Sequence, residues 1–183
     1  MNKSFLFVLL ILSSCLSPDK IKLEADTEIT VLDQLLLSTA TKPKDCTINK
    51  RVKLDDIEES NETLPYDTLL ILKDLNVLRD YALARQITTA NYSKVKSDNK
   101  ITYKRKASER KGPVVVRISK DGDVIAQVSL NFEENNLLYK SERQLLMKFD
   151  TNELVEYKIT GKRKLIGLHS SEYEIEVKIN SKF

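Results

Sequence analysis

His169 is the only histidine of the 183-residue chain, and Cys15 and Cys46 are its only cysteines. A Ser-His-Asp triad would have to be built around His169, but Ser170, Ser171 and Glu172 adjoin it in sequence and cannot supply that geometry. No Gly-x-Ser-x-Gly elbow exists either, so His169 is expected as a turn residue between two strands. One histidine and so few cysteines cannot assemble a structural zinc site within a single chain. The run Asp55, Asp56, Glu58, Glu59, Glu62 lacks the glycine and the Asp/Asn alternation of a calcium loop. Paired carboxylates for glycoside hydrolysis are defined by their separation in space, and no pair stands out. No metal, no cofactor and no catalytic residue is expected, and the chain reads as a non-enzyme.

The strongest charge feature is basic. Lys94, Lys96, Lys100, Lys104, Arg105, Lys106, Arg110 and Lys111 face only Asp98 and Glu109, a local charge of +6 inside a chain whose net charge is +3. Such a segment suits phosphate-bearing head groups, lipopolysaccharide or an acidic protein, because each Lys or Arg near an anionic surface contributes about 1 kcal/mol. A solvated strand-and-loop surface is the plain alternative. Tyr92 and Tyr103 would add stacking of the kind nucleic-acid sites use, but the small net charge argues against a nucleic-acid partner. The acidic run at 55–62 carries −5 and reads as a solvated loop or as a complement to the basic segment, in the same molecule or in a neighbour.

Residues 1–15, MNKSFLFVLLILSSC, place one lysine before an apolar run from Phe5 to Leu12 and then small residues. The run is far shorter than the roughly 20 residues needed to cross a hydrocarbon core, whereas its order is that of a secretory signal. Its end, Leu12-Ser13-Ser14-Cys15, resembles the lipobox of bacterial lipoproteins. The resemblance covers only these residues and implies that Cys15 is lipidated after cleavage before it, leaving residues 1–14 as the signal peptide. An ordinary secretory signal is the alternative. Two or three acyl chains hold a protein on a membrane almost permanently. Leu16 and Ser17 lack the acidic residue of an enterobacterial inner-membrane retention signal, so the outer membrane is favoured if the source has two. Cys46 then remains as an unpaired thiol, more commonly a buried spectator than a nucleophile.

Residues 15–26 read as the lipidated N-terminus and a polar tether, and 27–183 as a single domain, mainly helical over 27–90 and sheet-forming over 91–183. A helix is expected from Asp26 or Thr27 to about Thr39, where Ile29, Leu32, Leu35 and Leu36 recur at helical spacing behind an N-cap. An irregular connection with one short strand near Ile48–Leu54 follows, and then a long helix over Tyr66–Ile87. From there the period becomes two. Val124, Ala126, Val128, Leu130 and Phe132 form one apolar face, and Tyr173, Ile175, Val177 and Ile179 another. Shorter alternations appear at 101–105, 114–118, 145–149, 155–159 and 165–168. The segments Lys120–Asp123, Asp150–Asn152 and Gly161–Arg163 carry turn residues and are too short for crossover helices.

The expected fold is α+β, with one or two helices on one face of an antiparallel meander of five to seven strands. The expected role is a non-catalytic binding module in the cell envelope. Its partners are the membrane, through the N-terminal lipid, and an envelope protein or anionic envelope component at Lys94–Lys111. A carrier or chaperone for an apolar ligand, or an inhibitor of the immunity type, are the alternative readings.

Overall fold

The computed structural model describes residues 26–39, 46–75 and 83–181. The signal segment, Cys15 and all of the tether except Asp26 lie outside these residues, as do Val77, Leu78, Tyr81 and Ala82 of the expected long helix. The chain order is α1 (Thr27–Thr39), β1 (Cys46–Leu54), β2 (Ile57–Pro65), α2 (Thr68–Asp74), α3 (Leu83–Gln86), then β3 (Tyr92–Ser97), β4 (Lys100–Arg105), β5 (Val115–Asp121), β6 (Val124–Asn135), β7 (Tyr139–Asp150), β8 (Glu153–Leu165) and β9 (Ser170–Ser181).

The nine strands form one antiparallel sheet in the order β2-β1-β9-β8-β7-β6-β5-β4-β3. This corrects the expected α+β meander of five to seven strands: the described molecule is predominantly β, with short helices laid on one face. Two strands, β2 and β3 (Tyr92–Ser97), lie outside those expected, and one expected turn is strand. The acidic stretch expected as an irregular connection is a hairpin, because Asp55 and Asp56 adopt positive φ (48° and 65°) and turn β1 into β2. Both are residues that tolerate the left-handed conformation this tight turn demands. Gly161-Lys162-Arg163, expected as a turn, lies inside β8, opposite Arg143-Glu142-Ser141 of β7. The real turn comes later and includes Gly167, φ +77°, so Ile166 to Leu168 are not strand.

β3 to β9 run as an uninterrupted meander, and the β1–β2 hairpin is added beside β9, with Ile48 opposite Ile179. Alternate residues of each strand point to opposite faces. The helix-bearing face collects Ile48, Tyr103, Val116, Ile118, Val128, Leu130, Leu145, Met147, Tyr157 and Val177, all buried. A bulge at Ser119/Lys120 shifts the register against β6, so Ile125 turns inward and Val124 is exposed, the reverse of a simple alternation. Ile29, Leu32, Ile71, Leu83 and Ile87 supply the opposing helical layer.

Because neighbours are antiparallel, the turns after β1, β4, β6 and β8 gather at one end, called upper here, and those after β3, β5 and β7 at the lower end. α1 is clasped to the lower half. Its capping Asp26 accepts from the Glu28 amide at 3.1 Å, and Glu28 forms an ion pair of 2.8 Å with Lys120 near the β5–β6 turn. Asp74 at the end of α2 binds Lys50 at 2.7 Å and accepts from the Tyr157 hydroxyl at 2.8 Å.

Candidate functional site

The strands split the basic segment. Lys94, Lys96 and Arg105 lie on the helix-bearing face of β3 and β4, Lys100 and Lys104 on the outward face, and Lys106, Arg110 and Lys111 in the β4–β5 loop. Lys94 is an internal partner: its ammonium lies 2.7 Å from Asp26 and 5.5 Å from the centre of the Tyr103 ring. The Tyr103 hydroxyl donates to the same carboxylate at 2.6 Å. Burial alone would raise the Asp26 pKa, but the hydrogen bonds from Lys94, Tyr103 and the Glu28 amide outweigh it and hold the carboxyl below its usual range. Burial, and then Asp26, push the Tyr103 phenol far up.

Arg105 donates to the Gly112 carbonyl at 2.7 Å and Lys106 to the Thr89 carbonyl at 2.7 Å. Both therefore fasten the β4–β5 loop to its surroundings, and Tyr92 adds a bond from its hydroxyl to the Pro113 carbonyl at 2.8 Å. Burial pushes the Tyr92 phenol up to about 12. The side chains of Lys96, Lys100, Lys104, Arg110 and Lys111 are exposed. The Arg110 and Lys111 amides both donate to Glu109 at 2.9 Å, which fixes the backbone from which these two cations project.

The acidic run lies at the opposite edge of the sheet. β2 is one edge and β3 the other, so the two charge segments do not complement each other within the molecule. Glu58 instead pairs with Arg51 at 2.7 Å, and the Asp55 carboxylate accepts from the Glu172 amide at 2.7 Å. Cys46 is buried and unpaired, and His169 is exposed in the β8–β9 turn.

A cleft of about 340 Å³ crosses β1, β9, β8, β7 and β6, with Lys53, Glu142, Gln144, Thr160, Lys162 and Glu174 among its lining residues. By strand alternation these six point away from the helices. Three of its carboxylates are held in ion pairs. Lys162 meets Glu172 at 2.5 Å, Lys140 meets Glu142 at 2.6 Å, and Lys158 meets Glu174 at 2.9 Å. The Lys140 hydrogen bond holds the Glu142 carboxyl low, the opposite of what a general acid needs. Among the described residues no group of three or more His, Cys, Asp or Glu side chains is placed to hold a metal ion. In the layer between helices and sheet, where an apolar ligand would sit, Leu32, Ile71, Leu83, Met147 and Tyr157 are buried.

One feature has no counterpart among the expected site residues. Leu137, Leu138, Leu165, Ile166 and Leu168 are exposed at the upper end, Leu137 at 90% and Leu138 and Ile166 at 73% each. They crown the β6–β7 and β8–β9 hairpins, which are joined by a hydrogen bond of 3.1 Å from the Ile166 amide to the Leu138 carbonyl. The signal for them is apolar residues at turn positions, Asn136-Leu137-Leu138 and Leu165-Ile166-Gly167-Leu168. The second reads as strand when only alternation is scored. No protein-family model matches this chain, and no curated protein or solved structure matches it.

Proposed function

We propose that the chain is an exported bacterial lipoprotein, anchored by lipid on Cys15, whose β-rich domain is a non-catalytic interaction module of the cell envelope. The observation that carries this reading is the quartet Leu12-Ser13-Ser14-Cys15 placed directly after a short apolar run. The exposed cations Lys100, Lys104, Arg110 and Lys111 support an anionic partner, since Lys94, Arg105 and Lys106 bond to other groups of the fold. In a source with two membranes the outer one is the expected location.

Mass analysis of the mature N-terminus tests the anchor: a diacylglycerol-modified Cys15 is expected, and an unmodified N-terminus or one beginning after residue 15 overturns it. Reversal of Lys100, Lys104, Arg110 and Lys111 to Glu tests the surface. Weaker association with anionic envelope material is expected, and unchanged association removes these residues from the role.

A further inference from the structure

The upper end has the composition of a surface that enters something apolar. Its two joined hairpin tips carry five exposed leucine and isoleucine side chains. From Asn135 to Lys140 and from Lys164 to His169 there is no carboxylate; at the base of the tips Lys140 pairs with Glu142 at 2.6 Å, the Tyr139 hydroxyl donates to Glu134 at 2.9 Å, and Lys164 is exposed. Clustered exposed apolar side chains of this kind mark contact sites. Aliphatic tips above a polar base of lysine, tyrosine and paired glutamate match the layered polarity of a bilayer surface, apolar below and polar above. The tips form the ends of the long strands β6 to β9 and are not among the residues that line the 340 Å³ cleft, whereas a lipid surface deforms around protruding fingers.

Reach fits as well. Asp26 is bonded to Tyr103, and Tyr103 shares a row with Val116, Leu130 and Leu145. Leu138 stands seven residues along β7 from Leu145, roughly 23 Å higher at strand spacing. Residues 15–25 number eleven and extend to roughly 37 Å. A lipid on Cys15 and the hairpin tips can thus occupy the same bilayer face. The β4–β5 loop, with the exposed Arg110 and Lys111, also leaves the sheet at this end.

We infer that the paired tips of the β6–β7 and β8–β9 hairpins insert into the lipid surface, giving the domain a second membrane contact that fixes its orientation. Only the reach argument rests on the lipoprotein reading; the apolar tips are independent of it.

The test uses the full chain carried through its own export and purified in detergent. Leu138→Cys in one sample and Asn152→Cys, in the lower β7–β8 turn, in another are labelled with a polarity-sensitive dye, Cys46 being buried. Each is reconstituted on phosphatidylethanolamine–phosphatidylglycerol vesicles containing brominated acyl chains. Insertion predicts a blue shift and bromine quenching at position 138 and an aqueous spectrum at position 152. Adding Leu137→Glu and Ile166→Glu should abolish the signal at 138. An aqueous spectrum at 138, or a signal indifferent to the two glutamates, overturns the inference. Mass analysis of the same sample reports Cys15 separately: an unlipidated chain whose position 138 is quenched sinks the anchor and leaves the tip contact standing.

Discussion

The two ends of the sheet are built by opposite rules. At the lower end every turn between strands is polar, Asp98-Asn99, Asp121-Gly122-Asp123 and Asp150-Thr151-Asn152, and apart from Thr151 each residue is of a type that turn geometry favours. The helix layer is clasped there through Asp26 and Glu28. At the upper end two turns carry Leu137, Leu138, Ile166 and Leu168, side chains that turn geometry does not ask for and that the core does not bury. Among the strand-to-strand turns, the apolar side chains left over by folding therefore lie at the upper end, in the β6–β7 and β8–β9 connections. The leftover ones are where contact with something else is to be sought.

This contrast predicts a gradient of effects. The largest stability loss should come from Gly161→Ala, below the tips, where an added Cβ would sit 2.3 Å from the Tyr173 ring. That ring is itself held by Arg143 at 3.0 Å. Forcing it aside should cost about 2–3 kcal/mol in chemical denaturation. An unchanged midpoint would show the upper end to be loosely packed and blur the distinction.

Next, Asp26→Asn at the lower clasp should cost about 2 kcal/mol at neutral pH, the size of hydrogen bonds to a charged group. The folded Asp26 carboxyl lies below its ordinary value of 3.8. Its contribution is therefore full above that value and is lost as pH falls through the folded pKa. Urea midpoints of wild type and variant should differ at neutral pH and converge in acid. A constant gap would mean that the carboxylate charge is not what the clasp uses.

Thr151 is a β-branched residue at φ 48°, so Thr151→Asn should raise stability by about 1 kcal/mol, seen as a higher melting temperature. The smallest effect belongs to the tips. Leu137→Ser with Leu168→Ser should change stability by less than about 0.5 kcal/mol each, and a large loss would show that the tips serve the fold after all.

Much of the meander was legible because its strands bury one face. Tyr173, Ile175, Val177 and Ile179 declare β9 by period alone, and α1 announces itself through Asp26 and the Ile29–Leu36 spacing. The β1–β2 hairpin was not legible in full, since β2 is an edge strand with most residues exposed and has no apolar period to show. Gly161 reads as a turn because composition does not reveal that a tyrosine ring needs the missing side chain. The basic segment was visible as charge but not as geometry. The two-residue turn at Asp98-Asn99 reverses the parity between β3 and β4, sending Lys94 and Lys96 to one face and Lys100 and Lys104 to the other.

The seat of β1 beside β9 sets an order of events. Ile48 meets Ile179 across more than a hundred intervening residues, a closure slow to find by diffusion because so much chain entropy is spent before any contact rewards it. The meander from β3 to β8 can zip up from neighbouring hairpins, but the first hairpin has no place to dock until β9 is laid down. A ribosome or a translocation channel delivering this chain from its N-terminus would hold β1 and β2 waiting, unpaired with the sheet, until nearly the whole molecule had emerged.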